Sequence, residues 1–369
     1  MNILVVNWQD RLNPFAGGAE VHLHEVFRRI SHWGNNVTLL ASGFPGARKE
    51  ETLDGMRVIR IGGRDNFNFL VPYTVKKIVR QKHIDILVED LNKIPFFTPL
   101  FMKIPIFAIL HHRFGKSIFN QTILPFALYV YITESLIPLF YRSIPFDVVS
   151  RSTKKDLLDS GIKNDRVFIH YNGIDCSRYK PGGQKKTPFQ VTFLGRIKKY
   201  KSIEHFLYAV ASLRKEFPFL RVKIVGDGDY LPTLKTIVSS LMIKDIVDFA
   251  GFVSEAEKIR ILGQSEIVVN TSSKEGWGLT VIESNACGTP VVAADSPGLR
   301  DSVKNGFNGL LYPFGDIDAL VASLRKLLQE QELLHRMQHN SIEWSKKFDW
   351  ETTAGGIMKL LKKRVSGEI

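Results

Sequence analysis

Two carboxylates, Glu275 and Glu283, bracket a tryptophan-glycine loop in the stretch KEGWGLTVIESNACGTPVVA. A carboxylate accepts hydrogen bonds from hydroxyls, as the acidic residue of a dinucleotide fold does from a ribose. LTVIESNACG reads as a helix, so Glu275 lies in the loop before it and Glu283 about one turn inside it. The amides of Gly278, Leu279 and Thr280 then fall at the helix start, where backbone donors have no partner within the helix and the dipole favours an anion. Two hydroxyl-binding acids flanking an anion-binding amide cluster suit a sugar joined through a diphosphate to a nucleoside. Both acids could instead be seated by the positive helix start alone, but that leaves Gly-Trp-Gly unexplained. Its small residues and aromatic ring predict close approach to a ligand.

Three further groups add to this chemistry. Arg196 and Lys201 follow the strand ending at Leu194 in LGRIKKYKS. Two cations at a strand's mouth can clamp a diphosphate and neutralise charge on a leaving group; a solvated basic loop is the plainer alternative. Gly17 and Gly18, in AGGAE, precede a helix and would let backbone N–H groups approach a phosphate, or serve only as a turn. His111 ends the apolar strand IPIFAIL and points toward the expected ligand edge of the sheet, though a lone histidine is often structural. Asp227–Asp229 sits on a Gly-rich turn, no Asp-x-Asp lies at a strand end, and no His-Glu-x-x-His occurs. No metal site and no cofactor are expected.

These residues need a scaffold that puts strand ends side by side. NILVVNW, NVTLLAS, MRVIRIG, IDILVED, IPIFAIL and FDVVSRS read as strands with helices between them, beginning with AEVHLHEVFRRISHWG, whose inward stripe would be Val21, His24, Val26, Phe27 and Ile30. Strand-helix alternation implies a parallel doubly wound sheet. The pattern restarts after KPGGQKKTP, residues 180–188, a Gly/Pro/Lys-rich linker, with FQVTFLG, RVKIVG, VDFAGF, EIVVNTS and PVVAAD. The expected fold is α/β: two Rossmann-like doubly wound domains facing a central cleft. The first spans 1–182, the second 183–347, and a helix at 348–369 packs back on the first. Gly355 and Gly356 weaken that helix.

The chain has 369 residues, 44% hydrophobic and 24% charged, as in a soluble globular protein of about two domains. Cys176 and Cys287 share no metal or redox spacing, which suits a reducing cytoplasm. The opening strand is too short for a secretory apolar core and lacks a basic lead. Net charge is +13, with 24 Lys and Arg against 16 Asp and Glu up to Gly182 and 26 against 21 beyond it. A basic excess suits a phosphorylated ligand, an acidic membrane or nucleic acid, or is simply solvated surface. No nucleic-acid motif accompanies it, and no nucleic-acid partner is expected.

Taken in order, GGAE, IPIFAILHH, VVSRSTKKDLL, HYNGIDCSRYKP, FLGRIKKYKSIEHFL, IVGDGDY, GFVS and KEGWGLTVIESNACGTPVVA make the chain resemble a family-4 retaining glycosyltransferase with the GT-B fold. The resemblance implies a metal-independent hexosyltransferase that takes its sugar from a UDP- or GDP-linked donor, a substrate rather than a cofactor. Gly17 and Gly18 would line the diphosphate, Arg196 and Lys201 would hold the donor phosphates, and His111 would sit beside the donor sugar. Glu275 would touch the sugar's hydroxyls, Glu283 the ribose, and Gly278, Leu279 and Thr280 the phosphate. Asn172 and Asp175 match a turn before the interdomain linker. Front-face attack, with the leaving phosphate oxygen taking the acceptor's proton, would retain configuration. The alternative is a non-catalytic nucleotide-sugar or glycan-binding protein of the same fold. A nicotinamide dehydrogenase lacks its Gly-x-Gly-x-x-Gly.

Ser117–Phe146 is the most apolar part of the chain, interrupted by Pro125, Glu134 and Pro138, so a spanning helix is not expected. It reads either as a buried helix or, beside Lys76, Lys77, Arg80, Lys82, Arg113, Lys116 and Arg142, as a surface for anionic lipid. The second reading places a cytoplasmic enzyme peripherally on the inner membrane face. Its acceptor would be a glycan carried on a lipid, in polysaccharide or glycolipid synthesis.

Overall fold

A computed structural model describes residues 1–369 except Lys93 and Gln184, and except the side chain of Asn120. The chain forms two units, Met1–Gly173 with Trp350–Ile369, and Ile174–Asp349. The first holds strands β1 (Asn2–Val6), β2 (Asn36–Ser42), β3 (Glu50–Leu53), β4 (Met56–Ile61), β5 (Ile86–Leu91), β6 (Ile106–Leu110), β7 (Phe146–Val148) and β8 (Val167–Ile169). Their order is β3-β4-β2-β1-β5-β6-β7-β8, parallel except for the β3–β4 hairpin. The second holds β9 (Gln190–Leu194), β10 (Arg221–Val225), β11 (Val247–Gly251), β12 (Ile267–Asn270), β13 (Val291–Asp295) and β14 (Gly309–Pro313). These run in order β11-β10-β9-β12-β13-β14, all parallel.

The strands are apolar runs because both sheet faces are covered. All six residues of β5 are buried, its Glu89 included. Glu89 is held by the Thr98 hydroxyl, the Phe96 amide at 2.6 Å and the Tyr141 hydroxyl at 2.6 Å. It is a structural acid that pins the loop after β5. Burial pushes its pKa up, and those hydrogen bonds oppose the push. In helix α1 (Gly18–His32) the buried face is His22, Leu23, His24, Val26, Phe27 and Ile30. Val21, expected inward, is 46% exposed.

The units divide at Gly173/Ile174 rather than at residue 182. Residues after Gly173 are already tied into the second unit. Ile174 bridges Asp349, and Lys186 Nζ donates to the Ser265 carbonyl at 2.9 Å and the Thr289 hydroxyl at 2.6 Å. Gly/Pro/Lys composition signals irregular backbone there, not a free linker; Gln184 lies outside the described residues. The chain returns to the first unit at Trp350. The helix Trp350–Ser366 packs on α1, with Trp350 against the His22 ring at 6.0 Å and Glu351 paired with Arg29 at 2.9 Å. Gly356 has a use here: a Cβ would sit 2.1 Å from His170 Nε2, so only glycine allows this approach. β3, β8 and β14 are strands beyond those expected, β3 pairing with the expected β4 as a hairpin. Asp54 and Gly55 turn the hairpin with positive φ, and Asp-Gly between two strand-like runs was its signal.

Candidate active site

In the second unit the carboxyl ends of neighbouring strands are laced together. β9 lies between β10 and β12. The loop after β9 passes through Arg196 into a 3-10 turn at Lys199–Lys201. That turn is fastened to the loop after β12: the Thr271 hydroxyl donates to the Lys201 carbonyl at 2.7 Å, and the Ser273 amide donates to the Tyr200 carbonyl at 3.0 Å. The Glu275 amide in turn donates to the Pro297 carbonyl at 2.9 Å in the loop after β13. This lacing brings Lys201 Nζ directly onto Glu275 Oε1, with the two side chains 12% and 16% exposed. Burial pulls the Lys201 pKa down most, but Glu275 and Tyr200 outweigh it and hold the ammonium above its ordinary value. Arg196 is near enough to oppose that charge. The ammonium and the acid both keep partial exposure to solvent.

The helix Leu279–Ala286 starts beside this pair. Its cap Gly278 has φ +90°, and a Cβ would press on Leu299 Cδ2 at 3.0 Å and Ser302 Oγ at 3.1 Å. Leu279 and Thr280 are the first two helical residues, so their amides have no carbonyl partner within the helix. The Thr280 hydroxyl accepts from Asn270 Nδ2 at 3.3 Å. The aromatic of Gly-Trp-Gly plays a different part from the one its sequence suggested. Trp277 is buried to 2% and packs edge-on against Phe348 at 5.1 Å. It anchors the loop from below, because a ring that large in a short loop has more to gain from the core than from the rim.

Glu283 sits on the same helix with a separate set of partners. Lys258 Nζ lies 3.0 Å away and the Tyr179 hydroxyl 3.2 Å away. Both also reach Glu255, so two acids share one cation and one phenol. Burial lowers the Lys258 pKa most, yet Glu283 and Glu255 together raise it above the ordinary value. The sequence reading missed Lys258, Tyr179 and Glu255. No local signal joins Tyr179 to a helix more than a hundred residues further along the chain.

In the first unit, Gly17 caps α1, and its amide is already taken by Glu20 Oε2 at 2.6 Å. In this structure the Gly17 N–H is spent on that cap. Gly18 is the first residue of the helix, where the amide has no intrahelical acceptor. Glu20, only 2% exposed, also accepts from Asn92 Nδ2. His111 is 5% exposed at the end of β6, with Nε2 2.9 Å from Asp90 Oδ1 at the neighbouring end of β5. Burial pulls the His111 pKa down most, but Asp90, then Glu20 and Asp147, carry it above the ordinary value. The His22 ring meets His111 edge-on at 4.9 Å. Burial, then His111 and His170, push the His22 pKa well below its ordinary value, the opposite direction to His111.

Among the described residues one group could offer a cation three ligand atoms, namely His22, Asp90 and His111, all buried and with those atoms within 4.8 Å of one another. The Asp90–His111 hydrogen bond already occupies one atom of each partner. Asn172 is buried and Asp175 caps a turn by accepting from the Ser177 amide at 3.0 Å, consistent with structural roles.

Known proteins agree with this arrangement on both sides of the unit boundary. Residues 16–178 match the family described as Glycosyltransferase Family 4, and residues 178–344 match Glycosyl transferases group 1. The D-inositol 3-phosphate glycosyltransferase of Rhodococcus jostii (strain RHA1) is 32% identical over 215 residues, 54% of this chain and 48% of that protein. The chain thus spans about half the length of the curated relatives it matches. Two solved structures cover nearly everything: sucrose-phosphate synthase (tll1590) from Thermosynechococcus elongatus, TM-score 0.83, 18% identity and 99% of each chain; and Anabaena Alr3699/HepE in complex with UDP-glucose, TM-score 0.78, 18% identity, 98% of this chain and 100% of that one. At such identities the likeness is one of fold.

Proposed function

We propose, for a chain that belongs to the family-4 glycosyltransferases with the GT-B fold, that it moves a hexose with retention from a UDP- or GDP-linked donor to a glycan acceptor. The observation that carries the reading is the Lys201–Glu275 pair beside Arg196 and the Gly278–Thr280 helix start. Lys201 and Arg196 take the diphosphate, Glu275 the sugar hydroxyls, Glu283 the ribose. The likeness to a structure solved with UDP-glucose supports a nucleotide-sugar donor. In the step itself the bond from the anomeric carbon to the phosphate oxygen breaks as the acceptor oxygen bonds to that carbon on the same face. The departing phosphate oxygen takes the acceptor's proton, and Lys201 and Arg196 stabilise the charge that develops on it.

The direct test is incubation with radiolabelled UDP- and GDP-hexoses. Donor hydrolysis or transfer is expected, and nucleotide binding without turnover of any donor would mark a non-catalytic binding protein. The same assay in excess EDTA should keep its rate, because cations and amides already face the phosphates. Loss of activity on chelation, restored by magnesium or manganese, would overturn metal-independence.

The acceptor we propose is lipid-linked, met at an anionic membrane surface through the first unit. Among the described residues no helix is long and apolar enough to cross a membrane. Helix α2 (Phe67–Gln81) and helix α3 (Leu124–Ser135) nevertheless expose large apolar side chains: Phe69 at 73%, Tyr73 at 72%, Leu124 and Phe126 at 62%, and Ile132 at 54%. The two helices are joined where Asn68 Nδ2 donates to the Tyr129 hydroxyl at 2.9 Å. Glu134, which interrupts the apolar run in sequence, turns inward and accepts from the Phe114 and Gly115 amides at 2.7 and 2.8 Å. Arg113 turns inward as well, onto the Glu134 carbonyl at 3.2 Å. Lys76, Lys77, Lys116 and Arg142 stay exposed. Apolar surface beside lysines suits anionic lipid, at about 1 kcal/mol for each basic residue near it. In flotation at moderate salt the protein should rise with anionic vesicles and not with neutral ones. Lys76→Glu with Lys77→Glu should cut that binding at least about tenfold. Equal flotation with both vesicle types would remove the membrane reading.

A further inference from the structure

A cavity of about 440 Å³ opens in the first unit beyond the carboxyl ends of three adjacent strands, β1, β2 and β4. This is the edge of a doubly wound sheet where ligands bind. Its wall includes four cations, Arg48, Lys49, Arg60 and Arg64, two aromatics, Phe15 and Phe44, and no carboxylate. Arg60 lies over the Phe44 ring at 5.2 Å and Arg64 over the Phe15 ring at 5.0 Å, both as cation–π contacts.

Arg60 is the informative residue. Its side chain is 1% exposed, and its charge is met from behind: Nε donates to Asp10 Oδ2 at 2.6 Å, and Nη1 donates to Glu51 Oε1 at 2.5 Å and to the Arg48 carbonyl at 2.8 Å. Among the described residues its Nη2 is buried with no hydrogen-bond partner. Folded proteins seldom leave a charged donor so, because the missing bond is costly. A guanidinium locked in place by two acids, with one donor unspent beside a carboxylate-free cavity, is a prepared half-site for an oxygen anion. Arg48, Lys49 and Arg64 are exposed on the same wall and bring the remaining charge.

We infer that this cavity takes the phosphate group of the acceptor, with Arg60 as the fixed guanidinium in its wall and Arg48, Lys49 and Arg64 as the closing cations. The inference rests on the transferase reading for the word acceptor. The phosphate could belong to a soluble phosphorylated sugar or polyol, or to a lipid headgroup, and the chemistry recognised is the same.

The test uses the full chain and the double variant Arg48→Ala, Arg64→Ala, which leaves the buried Arg60–Asp10 pair intact. One arm titrates sn-glycerol 3-phosphate by calorimetry. The other floats the protein with phosphatidylcholine vesicles with and without phosphatidic acid. The wild type should bind in at least one arm, and which arm identifies the source. The variant should bind at least about tenfold more weakly in that arm, with UDP and GDP affinity unchanged. Wild-type silence in both arms, or equal binding by the variant, would overturn the inference. Failure of the transferase reading shows elsewhere, as wild-type protein that neither binds a nucleotide nor hydrolyses a donor, whatever the phosphate arms report.

Discussion

Lys201→Ala should lower kcat by about 10²–10³, the usual loss when one donor aimed at developing charge is removed. In the proposed mechanism its ammonium holds the leaving phosphate. It is kept protonated by Glu275 and kept in place by the Thr271 hydroxyl on its carbonyl. The substitution frees Glu275, which is 16% exposed and can turn to water, so the stability cost stays well below that of a stranded, fully buried charge. Two measurements separate catalysis from structure. Affinity for UDP or GDP should fall while affinity for the bare nucleoside does not, and the melting temperature should move little. A folded variant with near wild-type kcat would show that Lys201 serves only to neutralise Glu275.

Glu283→Ala should weaken nucleotide affinity about 10- to 100-fold, since a hydrogen bond to a charged group is worth about 1.5–3 kcal/mol and 1.4 kcal/mol is a factor of ten. The fold should survive. Lys258 keeps Glu255 at 3.0 Å, and Tyr179 keeps its bond to the same acid, so no cation is left stranded. Calorimetry with UDP and with its 2′,3′-dideoxy analogue gives the specific readout. Wild type should prefer the nucleotide with hydroxyls, and the variant should lose that preference. Unchanged affinity would remove Glu283 from the ribose and leave it as a partner of Lys258 and Tyr179.

The parts of the site that lie within one stretch of chain were legible before any coordinates. Glu275, Gly278, Leu279, Thr280 and Glu283 are spaced by a loop and a helix start, and local geometry alone puts the amides between the acids. The alternation of buried strands and amphipathic helices was legible for the same reason: period and turn chemistry are local. So was the inward face of most of α1, though not Val21, whose neighbours on the helix surface are set by what packs there.

What the sequence could not say concerns partners brought together by sheet order. β1 lies between β2 and β5, and β9 between β10 and β12, so loops far apart in the chain meet at adjacent strand ends. The fold likewise brings Asp90 to His111, Tyr179 and Lys258 to Glu283, and Asp10 to Arg60. Each is an ion pair or hydrogen bond with no periodicity to announce it. Trp277 shows the same limit in the other direction, since whether its ring covers a ligand or fills the core depends on Phe348, seventy-odd residues later. Residue types and their local spacing determined which chemistry the chain could attempt. The order of the strands decided which of those side chains are already spent on one another, and which, like Arg60 in the wall of a cavity, keep a donor without a partner among the described residues.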